Sequence, residues 1–179
     1  MNTSQWAAII SGFYYLCFRS TVASQCRWPA SLFFALVFFG AASLANAQVT
    51  FFNDGAGVER DLPFSESVRV DGLLFVSGQV GTDVSGKLVD GGIQAESRQV
   101  MENIRQIVQR RGLTMRDIVK CTVFLADVSQ WGDFNKIYTT YFSTPYPARS
   151  ALGANGLALG AALEVECIAA YPQTQNHGQ

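Results

Sequence analysis

Ser67-Val68-Arg69-Val70-Asp71-Gly72-Leu73-Leu74-Phe75-Val76-Ser77 reads as two short strands joined by a two-residue turn. Asp-Gly suits that turn because its positions must tolerate positive φ. Gly78 and Gly81 bracket the exit of the second strand. Residues 81–92, rich in Gly, Asp and Ser, then read as loop, with room for a short strand at Lys87-Leu88-Val89.

Beyond the loop the period changes from two to 3.6. Val100, Ile104, Ile107, Val108 and Arg111 recur at helical spacing, with Met101 widening the stripe, so a helix is expected over about 93–111. Gly112 stands where a left-handed cap belongs, and Thr114 with Asp117 suggests a short capped turn. Residues 118–125 are β-rich, with Val119, Cys121, Val123 and Leu125 assigned to one face. Asp127 or Ser129 can cap a second helix, whose apolar stripe is Phe134, Ile137, Tyr138 and Tyr141. Pro145 and Pro147 end it. Residues 149–152 and 163–171 read as strands, and Gly153, Gly156 and Gly160 mark a loop or bulge between them.

The order β-β-(β)-α-β-α-β-β predicts an α+β fold: one sheet with both helices on a single face. The other face also carries apolar residues, so burial between subunits is expected.

Upstream of the hairpin the composition shifts. Every charge before residue 50 is positive, Arg19 and Arg27. Arg27 precedes the apolar run 32–39, and Ala45-Asn46-Ala47 closes the segment with a small-x-small pattern. These are the three parts of a secretory signal. We therefore divide the chain into a leader, 1–47, and a single domain, 48–179, cut before Gln48. The run is short for a spanning helix, which needs about 20 residues. A second apolar run, 6–18, keeps a membrane anchor open as the alternative, as does a start site upstream of the real one. The expected location is export, to a periplasm, with a membrane contact only if the leader stays uncut.

The whole chain carries a net charge of −1, and the leader's contribution is all positive, so the domain is more acidic still. Affinity for phosphate backbones comes from clustered cations, so nucleic acid is not an expected partner. His177, in the C-terminal tail, is the chain's only histidine. A Ser-His-Asp triad, a Cys-His dyad or a His-ligated metal would all have to use it. Gly78-Gln79-Val80-Gly81 lacks the Lys-Ser/Thr of a phosphate loop, and no helix follows the later glycines to make a dinucleotide fingerprint. No cofactor and no metal are expected. Cys121 and Cys167 sit in strand-like runs; buried free thiols are the commoner state, and a disulfide is possible in an oxidising compartment.

Arg149, Glu164 and Glu166 remain as candidates for chemistry. Glu164 and Glu166 alternate with Leu163, Val165 and Cys167, so both carboxylates share one strand face. A structural ion pair or a solvated edge explains such residues equally well. The chemical reading is that arginine presents a rigid fork which grips a carboxylate, while a nearby carboxylate orients or deprotonates a water. Imine hydrolysis asks for little more, because an imine carbon is already electrophilic.

Seven blocks occur in order: Pro63-Phe64-Ser65-Glu66-Ser67-Val68-Arg69, Ser77-Gly78-Gln79-Val80, Glu102-Asn103-Ile104, Asp117-Ile118-Val119-Lys120, Thr122-Val123-Phe124, Pro147-Ala148-Arg149-Ser150 and Glu164-Val165-Glu166-Cys167-Ile168-Ala169. Over residues 59–171 the chain resembles the Rid family (YjgF, liver perchloric-acid-soluble protein, reactive intermediate deaminase). That resemblance implies a chorismate-mutase-like fold and a homotrimer with clefts between subunits. It implies hydrolysis of small 2-imino acids, 2-iminopropanoate and 2-iminobutanoate, to 2-keto acids and ammonia. By the family pattern Arg149 holds the substrate carboxylate, Glu164 positions the water, the backbone of Gly78 and Ala151 lines the site, Phe64 closes it from a neighbouring subunit, and Ser77 faces the ligand. The chain departs from the archetype in a shorter loop before Pro147, in Phe64 where Tyr is common, in Ala151 where some members carry Cys, and in the leader. The alternative expectation is a non-catalytic trimer, chaperone-like or binding a small carboxylate.

Overall fold

The structure is a computed structural model describing residues 46–54 and 62–172. The expected leader up to residue 45, and His177, lie outside the described residues. The elements are β1 (Val49–Phe52), β2 (Ser67–Val70), β3 (Leu73–Val80), α1 (Gly92–Arg110), β4 (Ile118–Leu125), α2 (Trp131–Tyr141), β5 (Ala148–Gly153) and β6 (Leu163–Ala170). They form a six-stranded sheet in the order β1-β2-β3-β6-β4-β5. All neighbours are antiparallel except β4 and β5, which run parallel because α2 carries the chain back between them. No helix among the described residues is long and apolar enough to cross a membrane.

The hairpin forms as read, with Asp71 taking the positive φ at 49°. Alternate strand residues make the core: Leu74 and Val76, Cys121, Val123 and Leu125, and Leu163, Val165, Cys167 and Ala169. They meet Val100, Met101, Ile104 and Val108 of α1 and Phe134 and Tyr138 of α2, so both helices cover one face. The Val, Leu, Ile, Met and Phe side chains among them each contribute roughly 1.5–3 kcal/mol by leaving water. The opposite face stays open and apolar, with Val49, Phe51, Leu73, Phe75 and Leu152 all exposed.

Four details differ from the sequence reading. β1 is an added edge strand, pinned where Asp71 accepts at Oδ1 from the Gln48 N–H (2.8 Å) and donates its own N–H to the Gln48 carbonyl (3.0 Å). Lys87–Val89 forms no strand, only an isolated bridge between Thr82 and Leu88. Val119 faces outward, 45% exposed, because the β4–β6 register shifts between Ile118 and Lys120 and gives the core position to Ile118. Cys121 and Cys167 are register partners and form a disulfide across β4 and β6, rather than two free thiols.

The turn before β4 is a capping box: Thr114 Oγ1 accepts from the Arg116 N–H, and Asp117 accepts from the Thr114 N–H. At the end of α1, Arg111 lies 4.0 Å over the Phe52 ring and pairs with Asp54 and Glu66, while Arg110 also pairs with Glu66. This cluster fastens β1 and the segment leading into β2 to the helix.

Candidate active site

The candidate residues fall into two groups on opposite faces of the sheet. The first group is built by a bulge in β3. Val76 pairs with Cys167 and Gln79 with Val165, so Ser77 and Gly78 together oppose a single residue of β6. The bulge presses the Gly78 backbone against Glu164: a Cβ on Gly78 would sit 2.8 Å from Glu164 Cδ and closer still to its Oε1. Glycine here permits the close approach, and any larger residue would have to push the Glu164 carboxylate aside. Ser77 points its hydroxyl at the Ser65 carbonyl (2.6 Å), and its N–H donates to the Glu66 carbonyl (3.1 Å). Both bonds hold the segment that carries Phe64, which is 53% exposed. Glu164 is half-buried, and Glu166, the next residue on that face, is exposed.

The second group lies on the edge strand β5. Arg149 pairs in register with Cys121, which directs its side chain to the helix-covered face. Its guanidinium carbon lies 4.6 Å from the ring centroid of Tyr138, 5.6 Å from Trp131 and 5.8 Å from Phe134. No hydrogen bond or ion pair to a described residue occupies the guanidinium, so its donors remain available. Ala151, two residues on, shares the same face and is exposed.

Within one chain these groups do not meet. Glu164 pairs with Phe124, three residues along β4 from Cys121, and so projects from the open face. Arg149 is displaced from it by roughly 10 Å along the strands and roughly 10 Å across them. Among the described residues no cluster of His, Cys, Asp and Glu is placed to hold a metal ion.

Sequence reasoning missed the surroundings of Arg149. Phe134 and Tyr138 were legible as a core stripe, but Trp131, one turn earlier and 45% exposed, was not singled out. Its spacing of i, i+3, i+7 with those two was the available signal. Burial pushes the Tyr138 phenol up, partly offset by the charge of Arg149, and among the described residues its hydroxyl has no hydrogen-bond partner.

A mixed sheet backed by helices on one face, with an edge-strand arginine and a bulged glycine against a glutamate, defines a class of small α+β proteins. A sequence model described as endoribonuclease L-PSP matches residues 58–171. The chain belongs to this family, also called YjgF or Rid. The mouse protein 2-iminobutanoate/2-iminopropanoate deaminase is 43% identical over 108 residues, 60% of this chain and 80% of the mouse protein. Its human counterpart is 39% identical, over 60% and 79% of the two chains. Among solved structures, RidA from an Antarctic Psychrobacter superposes with a TM-score of 0.59 at 34% identity, covering 62% of this chain and 89% of that one. TdcF of E. coli with bound serine gives 0.59 at 30% identity, over 62% and 90%.

Proposed function

We propose that this chain is a deaminase that hydrolyses small 2-imino acids to 2-keto acids and ammonia, in clefts formed between copies of itself. The observation that carries this reading is the state of Arg149: a half-buried guanidinium with aromatic rings beneath it and, among the described residues, no acid paired with it. A fork with unoccupied donors suits a carboxylate, which it grips through two parallel N–H···O bonds. Two named relatives are deaminases of such imines, and one structural neighbour holds serine, a small amino acid.

Arg149 and Glu164 lie on opposite faces of one sheet, so a working site needs Arg149 of one subunit beside Gly78 and Glu164 of another. The open apolar face supports this assembly, since Phe51 and Phe75 are exposed on it in the single chain. A homotrimer is the assembly we propose. In the cleft, Arg149 anchors the carboxylate and the backbone of Gly78 and Ala151 frames the substrate. Glu164 orients a water and accepts its proton as the oxygen attacks the imine carbon. The C=N electrons move to nitrogen, which is protonated, and the carbinolamine collapses to ketone and ammonia. Phe64 closes the pocket with its ring. No cofactor is needed for these steps, and nucleic acid is not a partner. The leader is proposed to export the domain to the periplasm.

The test is semicarbazone formation from enzymatically generated 2-iminobutanoate, with wild type and Arg149→Ala compared. Loss of acceleration in the variant is expected; equal behaviour defeats the proposal. Binding of 2-ketobutyrate with no turnover by wild type would identify a carboxylate-binding protein instead.

A further inference from the structure

We infer that Trp131 is a positioning residue for substrate binding, holding the Arg149 fork over a shelf of aromatic faces with Tyr138 and Phe134. The inference rests on the reading of Arg149 as the carboxylate holder and adds how that side chain is kept ready.

An arginine on an edge strand has two usual fates. It pairs with an acid, or it extends into water. Arg149 does neither with the described residues. An acid partner would neutralise the charge and occupy the N–H donors that a substrate needs. Ring faces attract a cation through their quadrupole without the directed anionic acceptor that an acid would set against each N–H. Three rings within 6 Å of the guanidinium carbon therefore hold it without using the donors that receive a carboxylate.

The three contributors are not equivalent. Phe134 and Tyr138 are buried core residues that also pack on each other, with ring centroids 5.4 Å apart, so the core would order them without any arginine. What Tyr138 presents to the guanidinium is its ring face, at 4.6 Å. Trp131 is different. It opens α2, is 45% exposed, and stands outside the main cluster of buried residues. Indole has the strongest cation-attracting face of the aromatic side chains. Guanidinium is weakly hydrated and stacks well, so this contact limits the rotamers of a long side chain before the ligand arrives. Pre-ordering of this kind strengthens binding of ground state and transition state alike, which alters KM rather than kcat.

The experiment uses the full chain with Trp131→Leu, Trp131→Phe and Arg149→Ala. KM and kcat are measured with enzymatically generated 2-iminobutanoate, and the dissociation constant is measured for 2-ketobutyrate. Trp131→Leu is expected to raise KM and the dissociation constant about fivefold to tenfold, with kcat and melting temperature close to wild type. Trp131→Phe, which restores a ring face, is expected to recover most of that loss. Wild-type affinity in Trp131→Leu, alongside lost affinity in Arg149→Ala, overturns the shelf and leaves the role of Arg149 standing. A matched fall of kcat and melting temperature in Trp131→Leu marks a merely structural residue and also overturns it. Wild-type affinity in Arg149→Ala removes the reading of Arg149 itself, and the shelf with it.

Discussion

Gly78 lies so close to Glu164 that a single methyl group cannot be placed between them. The bulge in β3 brings the backbone to the carboxylate, so Gly78→Ala must displace the end of the glutamate side chain. That side chain is flexible, so the sheet is expected to survive. We predict a melting temperature within a few degrees of wild type and a loss of activity of about 100-fold, the scale of a lost acid–base group. Differential scanning calorimetry and the semicarbazone assay on one preparation check both halves.

Arg149→Lys keeps the charge and removes the fork. A charged hydrogen bond contributes about 1.5–3 kcal/mol, so kcat/KM is expected to fall about 10- to 100-fold. The folded state should hardly notice, because no hydrogen bond or ion pair to a described residue engages the guanidinium. Retained activity in the lysine variant would show that a point charge suffices.

Phe75 is 41% exposed on the open sheet face, across from Ile168 on β6. If that face is the subunit boundary, Phe75→Glu places a charge where another chain would cover it. Light scattering on a sizing column should then show monomer in place of trimer, with the imine assay falling in parallel. An unchanged trimer would move the boundary elsewhere.

Cys121 and Cys167 close a loop with a sequence separation of 46 in the centre of the core. Such a link stabilises by about 2–4 kcal/mol, largely through the unfolded chain. Cys121→Ala/Cys167→Ala should lower the urea midpoint, and dithiothreitol should then have no further effect on it. The same reductant should lower the midpoint of wild type once unfolding exposes the bond.

The Asp54 carboxylate is held down to about 2 by its hydrogen bonds to Arg111. A depressed acid adds stability that is complete above its unfolded value near 3.8 and is lost as pH falls through about 2. Acid titration should therefore loosen the contact of β1 with α1 only below pH 4. Because Asp54 is exposed, the effect should be modest and weaker in salt. Asp54→Asn should remove it, as read by the NMR shifts of Phe52.

Much of the fold was legible because period identifies faces. The stripes of Val100, Ile104 and Val108 and of Phe134 and Tyr138 became the core of α1 and α2, and the Asp71-Gly72 hairpin formed in register. What escaped depends on distant pairing. Val49–Phe52 follows the apolar segment 32–47 directly, so nothing local separates a strand from the end of that segment. The outward turn of Val119 comes from a slip against β6, and the disulfide from the alignment of Cys121 with Cys167. Arg149, Gly78 and Glu164 could be named from ordered motifs. Their placement on opposite faces could not, because it follows from the register of Arg149 and Glu164 against β4 and from the bulge that sets Gly78 against β6.

Gln48 is met at both ends by Asp71, which accepts its backbone N–H on a carboxylate oxygen. Removal of the leader before Gln48 would turn that amide into a free ammonium group with its counterion already waiting. Maturation would then turn a hydrogen bond from a neutral donor into an ion pair at the sheet's first strand, so the processed protein should begin on an ordered residue rather than on a loose end.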